Sequence, residues 1–106
     1  LRRMFCAVYK FALTDAPHAE PRFIAAWKGI TAFYQRNGAL QSILHKEPDG
    51  HFVSTAYWPN KVSYDGAHNI PRDEAFTRHA VEWSEVCVPS DILFEGEVIT
   101  ALDPSP

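Results

Sequence analysis

One histidine is the strongest candidate for chemistry because it lies within an apolar helical pattern. Phe76, His79, Ala80 and Trp83 recur at spacings of three, one and three residues, which places all four on one face of a helix. Burial on that face would favour the neutral imidazole that a general base or an iron ligand requires. His79 is therefore the predicted catalytic residue. A core histidine bonded to a backbone carbonyl is the alternative interpretation.

Six aromatic side chains are candidates for the wall of a pocket that binds a flat substrate. They come from the predicted strands and from both predicted helices: Tyr9, Trp27, Tyr34, Tyr57, Trp58 and Trp83. Indole and phenol rings provide a large apolar area, and the tyrosine hydroxyl groups could hydrogen-bond a phenolic ligand. The alternative for each of them is ordinary packing in the core or in a subunit interface.

Other motifs that carry chemistry are absent from the sequence. His45 and His51 flank a predicted hairpin turn and His68 lies in a loop, but HxH, HxxxH and HExxH spacings do not occur, so no metal site is predicted. There is also no GxSxG and no GxGxxG. Hydrolase and nucleotide-dependent functions are therefore not indicated.

The composition indicates one globular domain. The chain has 106 residues, of which 46% are hydrophobic, and a net charge of −3. That charge argues against a nucleic-acid partner, and no apolar run approaches the roughly 18 residues that cross a membrane. We expect a domain over residues 4–102, with residues 1–3 as a start-site or cloning remnant and residues 103–106 as a polar tail.

The two cysteines predict the compartment. Cys6 and Cys87 lie far apart in the sequence without a CxxC motif, and the N-terminal segment lacks the apolar core of a signal peptide. Such cysteines are more often reduced than bridged. The sequence therefore predicts a cytoplasmic protein with two unreactive thiols.

Hydrophobic periodicity predicts six elements in the order β-α-β-β-α-β. The strands are expected over residues 4–13, 39–46, 51–58 and 92–102. The first helix is expected to begin within residues 14–21 and to end at about residue 36, and the second is expected over about residues 72–86. Asn37-Gly38 ends the first helix, Gly50 closes the hairpin turn, and Asn60 caps a short helical turn. This order predicts an α+β, ferredoxin-like fold with a four-stranded antiparallel sheet and both helices on one face.

The same patterning predicts a homodimer. Two helices cover one face of a four-stranded sheet, yet the strand sequences place apolar residues on both faces. A two-fold partner packed sheet to sheet would cover the second face with an identical surface. The alternative is a monomer with a small cavity.

Three segments of the chain carry a family resemblance. MFCAVYKFAL, FIAAWKGITAFYQRNGALQSILHK and DGHFVSTAYWPNKVSYD, within residues 4–102, resemble the antibiotic biosynthesis monooxygenase family of the dimeric α/β-barrel superfamily. The aromatic-rich helix that ends at a glycine, the LHKxxDG hairpin and the strand ending in Tyr57-Trp58 are its most telling parts. The resemblance implies a dimeric α/β barrel and a cofactor-independent monooxygenase that acts on a small aromatic or quinol-type substrate.

The superfamily also includes haem-degrading enzymes, which rely on an Asn in strand one, a Trp in the short helix after strand three and a His in the last helix. Only the His has a counterpart in this chain, which is His79. Residues 4–13 contain no Asn and residues 60–67 contain no Trp. The expected cofactor is therefore none, with haem as the alternative. A non-catalytic binder of haem or an apolar metabolite, and a structural dimer, also stay open.

Overall fold

The structure is a computed structural model that describes residues 4–88 and 91–104. Its elements in chain order are β1 Phe5–Phe11, α1 Ala19–Arg36, β2 Ser42–Lys46, β3 Phe52–Trp58, α2 Lys61–Gly66, α3 Glu74–Val86 and β4 Asp91–Glu97. A turn of 3-10 helix, Ala67–Asn69, follows α2. The remnant predicted at residues 1–3 and the last two residues of the predicted tail, 105 and 106, lie outside the described residues.

The four strands form one antiparallel sheet in the order β2-β3-β1-β4. In the register of the central pair, Phe5 faces Trp58 and Phe11 faces Phe52, so alternate residues of both strands point toward the helices. Phe23 of α1 and Val86 of α3 pack against that face and are fully buried. The predicted ferredoxin-like fold is therefore confirmed.

The two ends of α1 differ in backbone strain: a glycine follows its C-terminus in a left-handed conformation, whereas a histidine adopts that conformation before its N-terminus. Gly38 adopts φ +112, a left-handed conformation that glycine reaches without strain, and the helix ends at the predicted Asn37-Gly38 step. At the start, His18 is also left-handed with φ 56, and its side chain makes no capping hydrogen bond. The first turn of α1 therefore begins from a strained residue.

Side-chain caps define the starts of α2 and α3. The Asn60 side chain accepts a hydrogen bond from the Ser63 backbone N–H at 2.8 Å, which confirms the predicted cap of α2. The Asp73 carboxylate accepts from the Phe76 N–H at 2.7 Å. Since Asp73 is the capping residue, α3 starts at Glu74, two residues after the predicted position.

The last strand is shorter than predicted and ends at Glu97. β4 pairs only with β1 in the described chain, and the last bond between the two segments runs from the Val98 N–H to the Met4 carbonyl at 2.8 Å. Beyond that point Ile99 and Leu102 are 69% and 96% exposed. The prediction of a strand over residues 92–102 was therefore wrong for its second half.

The second face of the sheet is apolar and is not covered by α1 or α3. Val8 of β1 lies at its centre, opposite Thr55, and Val53 and Ile43 lie on the same face of β3 and β2. The Phe94 ring lies over Gly96 of β4, with Phe94 itself 52% exposed. An exposed surface of this kind marks a site of interaction in a small domain. Among the described residues, no helix combines the length and the apolar character that crossing a bilayer requires.

Candidate active site

A cavity of about 580 Å³ lies between the inner face of the sheet and the helices. This volume is within the range of small-molecule binding sites. Most of the wall is aromatic, and its rings come from β1, α1, β3, α2 and α3: Tyr9, Phe11, Trp27, Tyr34, Trp58, Tyr64, Phe76 and Trp83. Such a cavity suits a flat, largely apolar ligand.

The apolar residues of α1 have two functions in this arrangement. Phe23 and Phe33 are buried in the core, whereas Trp27, Ile30 and Tyr34 are half-buried and line the cavity. Phe23, Trp27, Ile30 and Tyr34 are spaced by four, three and four residues and share one face of α1. Phe23, at the start of that face, packs against Phe11, Phe52 and Val86, whereas the later residues face the cavity. One amphipathic helix therefore supplies both the core and one wall of the cavity.

Two tyrosine hydroxyl groups meet on the cavity wall. The Tyr9 hydroxyl on β1 donates a hydrogen bond to the Tyr64 hydroxyl on α2 at 2.9 Å. Burial raises the pKa of Tyr9 far above its ordinary value, and the hydrogen bond to Tyr64 raises it further. Burial also raises the pKa of Tyr64. Both phenols are therefore protonated at neutral pH.

A second polar pair fixes the indole of Trp27. Its Nε1 donates to the Ser54 hydroxyl of β3 at 3.0 Å, and Ser54 is a buried polar residue on the inner face of the sheet. A buried hydroxyl and a half-buried indole N–H each need a partner, and here they satisfy one another. The pair holds the Trp27 ring in a defined orientation against the cavity.

Part of the cavity wall is formed by exposed polar side chains. Asp65 and His68 are exposed residues of its lining. Nearby, the Arg72 guanidinium lies over the Phe76 ring at 4.5 Å and over the Tyr34 ring at 5.3 Å. These cation–π contacts stabilise the aromatic wall between α1 and α3.

The structure brings together five of the six aromatic residues that the sequence singled out. Tyr9, Trp27, Tyr34, Trp58 and Trp83 all line the cavity.

Tyr57 lies elsewhere. It alternates with Trp58 along β3 and pairs with Cys6, so it points toward the opposite face of the sheet. Its predicted part in substrate binding stays a prediction.

His79 lies between α1 and α3. Its ring contacts the backbone of Gly29, and it is not among the residues of the cavity wall, whereas its neighbours Phe76, Ala80 and Trp83 are. The catalytic role predicted for His79 is not tested by these contacts and stays a prediction. The candidate site consists of the groups that line the cavity.

Two residues of the site were missed from the sequence. Ser54 had a usable signal, because it is a polar residue at an inward position between Phe52 and Trp58 of an otherwise apolar strand face. Tyr64 follows the Asn60 cap by one helical turn, but no local pattern shows that this turn meets β1. Its pairing with Tyr9 depends on tertiary contact alone.

One group of acidic and histidine side chains lies outside the cavity. Ligand atoms of Glu47, Asp49 and His51 lie within 4.8 Å of one another in the part of the chain that the structure describes. Glu47 already pairs with Lys10 Nζ at 2.9 Å, and His51 Nδ1 pairs with Asp49 at 3.0 Å. We therefore assign these groups to the stability of the hairpin turn.

The comparisons with known proteins show the fold. No protein-family model matches the chain, and no curated protein matches it significantly. SnoaB, a cofactor-independent oxygenase from Streptomyces nogalater, is 22% identical over 98% of this chain and 98% of its own, with a TM-score of 0.66. A candidate antibiotic biosynthesis monooxygenase from Chloroflexus aurantiacus is 13% identical over 96% and 97%, with a TM-score of 0.64.

A conserved protein of unknown function from Bacteroides thetaiotaomicron is also similar. It is 13% identical over 92% of this chain and 100% of its own, with a TM-score of 0.66. The resemblance noted in the sequence is therefore confirmed at the level of structure. The chain has the ferredoxin-like fold of the antibiotic biosynthesis monooxygenase structures.

Proposed function

We propose that the protein is a cofactor-independent monooxygenase of a small aromatic substrate that bears a phenolic or quinol hydroxyl group. The observation that carries the proposal is the aromatic cavity with the Tyr9–Tyr64 hydroxyl pair on its wall. The structural likeness to SnoaB, which is described as a cofactor-independent oxygenase, supports the same class of reaction.

The proposed reaction converts a phenol with a free para position, together with O₂, into a para-quinone and water. Loss of the hydroxyl proton first makes the ring an electron-rich phenolate. One oxygen atom forms the new carbon–oxygen bond at the para carbon, and the other leaves as water with the two hydrogens that the substrate loses. The substrate supplies all four electrons, so the balance requires no metal, flavin or separate reductant.

The residues of the cavity would act on the substrate in three ways. The rings of Trp27, Trp58 and Trp83 exclude water and hold a flat ligand in one orientation. The Trp27–Ser54 hydrogen bond keeps one of these rings in place. The Tyr9–Tyr64 pair is positioned to contact the substrate hydroxyl group, where the proton must leave.

Oxygen uptake with a panel of phenols and 1-naphthols that have a free para position tests this proposal. We expect turnover by the wild-type protein that persists in excess EDTA without added flavin, and a loss of about 100-fold in kcat/KM for Tyr9→Phe and for Tyr64→Phe. Val62→Ala is the matched control on α2, because Val62 is exposed and two residues from Tyr64. Absence of wild-type turnover on every substrate would remove the proposal.

A homodimer packed sheet to sheet is the second part of the proposal. The support is the open apolar face around Val8, Val53 and Phe94. We expect sedimentation of the wild-type protein at twice the 12.0 kDa chain mass, and of Val53→Lys at the mass of one chain. Val81→Lys, at an exposed position of α3, should sediment like wild type. A monomeric wild-type protein would contradict the dimer.

The predicted cytoplasmic location is kept as part of the proposal. Cys6 and Cys87 are both free and buried, as expected for thiols in a reducing compartment. Fractionation of cells that express the native gene would test it, and recovery of the protein outside the cytoplasm would contradict it.

A further inference from the structure

We propose that the Ser54 hydroxyl group donates a hydrogen bond to the ligand of the cavity, and that this ligand is an aromatic molecule with a carbonyl oxygen. The inference deepens the proposed function, on which it rests for the aromatic substrate, because it adds a second oxygen to the phenolic hydroxyl group. Its physical basis is the buried Ser54 proton, for which the hydrogen bond with Trp27 provides no acceptor.

Ser54 is a buried polar residue in an apolar part of the cavity wall. It is 5% exposed, and it lies on the inner face of β3 among the residues that line the cavity. Its neighbours in the register of the sheet are Tyr9 of β1 and Leu44 of β2. A hydroxyl group in such surroundings costs free energy unless its donor and its acceptor find partners.

Proton counting assigns the roles in the Trp27–Ser54 hydrogen bond. An indole N–H only donates, so the Ser54 oxygen is the acceptor in the 3.0 Å bond. A serine hydroxyl group also has one proton of its own to donate. The bond with Trp27 therefore leaves the Ser54 proton available to a second partner.

The protein groups around Ser54 do not take this proton. Within residues 4–88 and 91–104, the bond with Trp27 is the one hydrogen bond of the Ser54 side chain. β3 is paired on both sides, so the backbone carbonyl groups beside Ser54 already accept in the ladders with β1 and β2. The Tyr9 hydroxyl lies at the far end of its ring, where it bonds to Tyr64. The direction left for the Ser54 proton is the cavity.

A carbonyl oxygen is the acceptor that fits this place. It has two lone pairs and no proton, and the two polar groups beside it would be donors, the Ser54 O–H and the Trp27 N–H. A ligand hydroxyl group would bring a further proton that also needs an acceptor. A hydrocarbon would leave the Ser54 proton without any partner once it had displaced water, which lowers the affinity.

The two polar pairs of the wall would then hold a substrate at two points. Tyr9 and Ser54 are directly opposite residues of an antiparallel strand pair, in which Cβ atoms lie about 5 Å apart. The phenolic hydroxyl group would contact the Tyr9–Tyr64 pair, and a carbonyl oxygen elsewhere on the ring system would accept from Ser54. Two fixed points orient a flat ring more strictly than one, as attack at a single ring carbon requires.

Calorimetric titration with a matched pair of ligands tests this inference. The probes are 1-tetralone, which has a carbonyl oxygen, and 1-methylenetetralin, which has a CH₂ group in its place. We expect the wild-type protein to bind the ketone about tenfold more tightly, as one hydrogen bond from a desolvated donor implies. In Ser54→Ala the donor is lost while the ketone is still desolvated, so the preference should fall to about twofold or less.

The ratio of the two affinities separates this role from a structural one. A change in the shape of the cavity acts on both ligands alike, whereas loss of the donor acts on the ketone alone. Ser54→Cys keeps the size of the side chain with a weaker donor, and its preference should fall to about threefold or less. It provides the same test should Ser54→Ala not fold.

Two further variants complete the experiment. Ser84→Ala makes the same change at an exposed position of α3, where Ser84 bonds to the Val81 carbonyl, and should keep the tenfold preference. Trp27→Phe removes the indole N–H but not the Ser54 proton, so the preference should stay at about fivefold or more.

Several results would overturn the inference. They are equal wild-type affinity for the two ligands, no binding of either, and an unchanged preference in Ser54→Ala or, if that variant does not fold, in Ser54→Cys. Loss of the preference in Trp27→Phe would also overturn it, because the donor to the ketone would then be the indole.

Binding requires no turnover, so this result separates from the proposed function. Oxygen uptake by the wild-type protein with an unchanged preference in Ser54→Ala would remove the inference and leave the monooxygenase. A preference that depends on Ser54, without any oxygen uptake, would leave the carbonyl site and remove the reaction.

Discussion

The imidazole of His79 on α3 lies directly against the backbone of Gly29 on α1. A Cβ at Gly29 would overlap three atoms of the ring, Nε2, Cδ2 and Cε1. The missing side chain of glycine therefore creates the space that the histidine occupies, and it permits the two helices to approach closely. This is a packing relationship between residues 50 positions apart.

A double-mutant cycle measures that relationship. Gly29→Ala should lower the free energy of unfolding by about 1 kcal/mol, because overpacking against His79 exceeds the gain in helix propensity. In the His79→Ala background the overlap is gone, and the same change should raise the free energy by about 1 kcal/mol. Urea denaturation of the four proteins gives both values.

Gly66→Ala is the control for this cycle. Gly66 also lies at a helical position, but a Cβ there would meet nothing within 4 Å. Its effect should be the same with His79 and with Ala at position 79. A cycle in which Gly29 and residue 79 act additively would contradict the contact.

The catalytic prediction for His79 is tested by activity rather than stability. The contact with Gly29 favours packing, so we expect His79→Ala to lower the melting temperature while kcat/KM stays within about threefold of wild type. A general base would lose about 100-fold or more. A loss of that size in folded protein would restore the role predicted from the sequence.

Haem binding is a separate test of the same residue. A Soret shift that depends on His79 would show iron ligation, and we expect His79→Ala to leave any haem spectrum unchanged, because the ring faces Gly29.

The fold was predictable because its signals are local. Apolar periodicity identified both long helices. Gly38 after α1 and Gly50 in the hairpin turn both adopt a positive φ, as expected for glycine at a helix end and in a turn. The length of β4 was not predictable in this way. Apolar residues continue to Leu102, but the strand ends at Glu97, opposite Phe5 of β1, and this end is visible only in the pairing of the sheet.

The candidate site was predictable only in part. Aromatic residues on the inner faces of α1 and β3 were recognised, because a helical stripe and strand alternation both show in the sequence. The Tyr9–Tyr64 pair joins residues 55 positions apart, and the packing of His79 on Gly29 depends on the interhelical distance. Neither follows from spacing along one element.

The Trp27–Ser54 hydrogen bond provides a prediction on stability. Ser54→Ala removes the acceptor of a half-buried indole N–H and should cost about 1 kcal/mol of unfolding free energy. The loss should be smaller in a Trp27→Phe background, where no N–H is left unpaired. Thr55→Ala, on the opposite face of β3, should show no coupling with Trp27. Equal losses from Ser54→Ala in both backgrounds would contradict the bond.

The left-handed conformation of His18 provides another prediction on stability. Glycine adopts φ 56 without steric strain, and His18 makes no capping bond that would be lost. His18→Gly should therefore raise the unfolding free energy by about 0.5–1 kcal/mol, after the entropy cost of glycine is subtracted. His18→Ala keeps the strain and should give no gain. Thermal melts of the two variants decide the matter, and equal melting temperatures would count against strain.

The buried Tyr9 hydroxyl predicts how stability changes at high pH. Burial first, and then the hydrogen bond to Tyr64, raise the pKa of Tyr9 above its ordinary value of 10.0. Folding thus favours the protonated phenol, and this contribution is fully present below pH 10. Above pH 10 the unfolded chain releases the proton while the folded protein retains it. Stability therefore falls as pH rises, by up to about 1.4 kcal/mol per pH unit for this group.

Tyr9→Phe should accordingly lose less stability than wild type between pH 10 and pH 11. Burial also raises the pKa of Cys87 to about 11, which adds alkaline sensitivity in the same range. That contribution is common to both proteins and cancels in their difference. Urea denaturation at pH 8, 10 and 11 should give curves that converge as pH rises, with the variant less stable at pH 8. Parallel curves would mean that the Tyr9 phenol titrates alike in the folded and unfolded chain, as it would if the cavity wall were open to water.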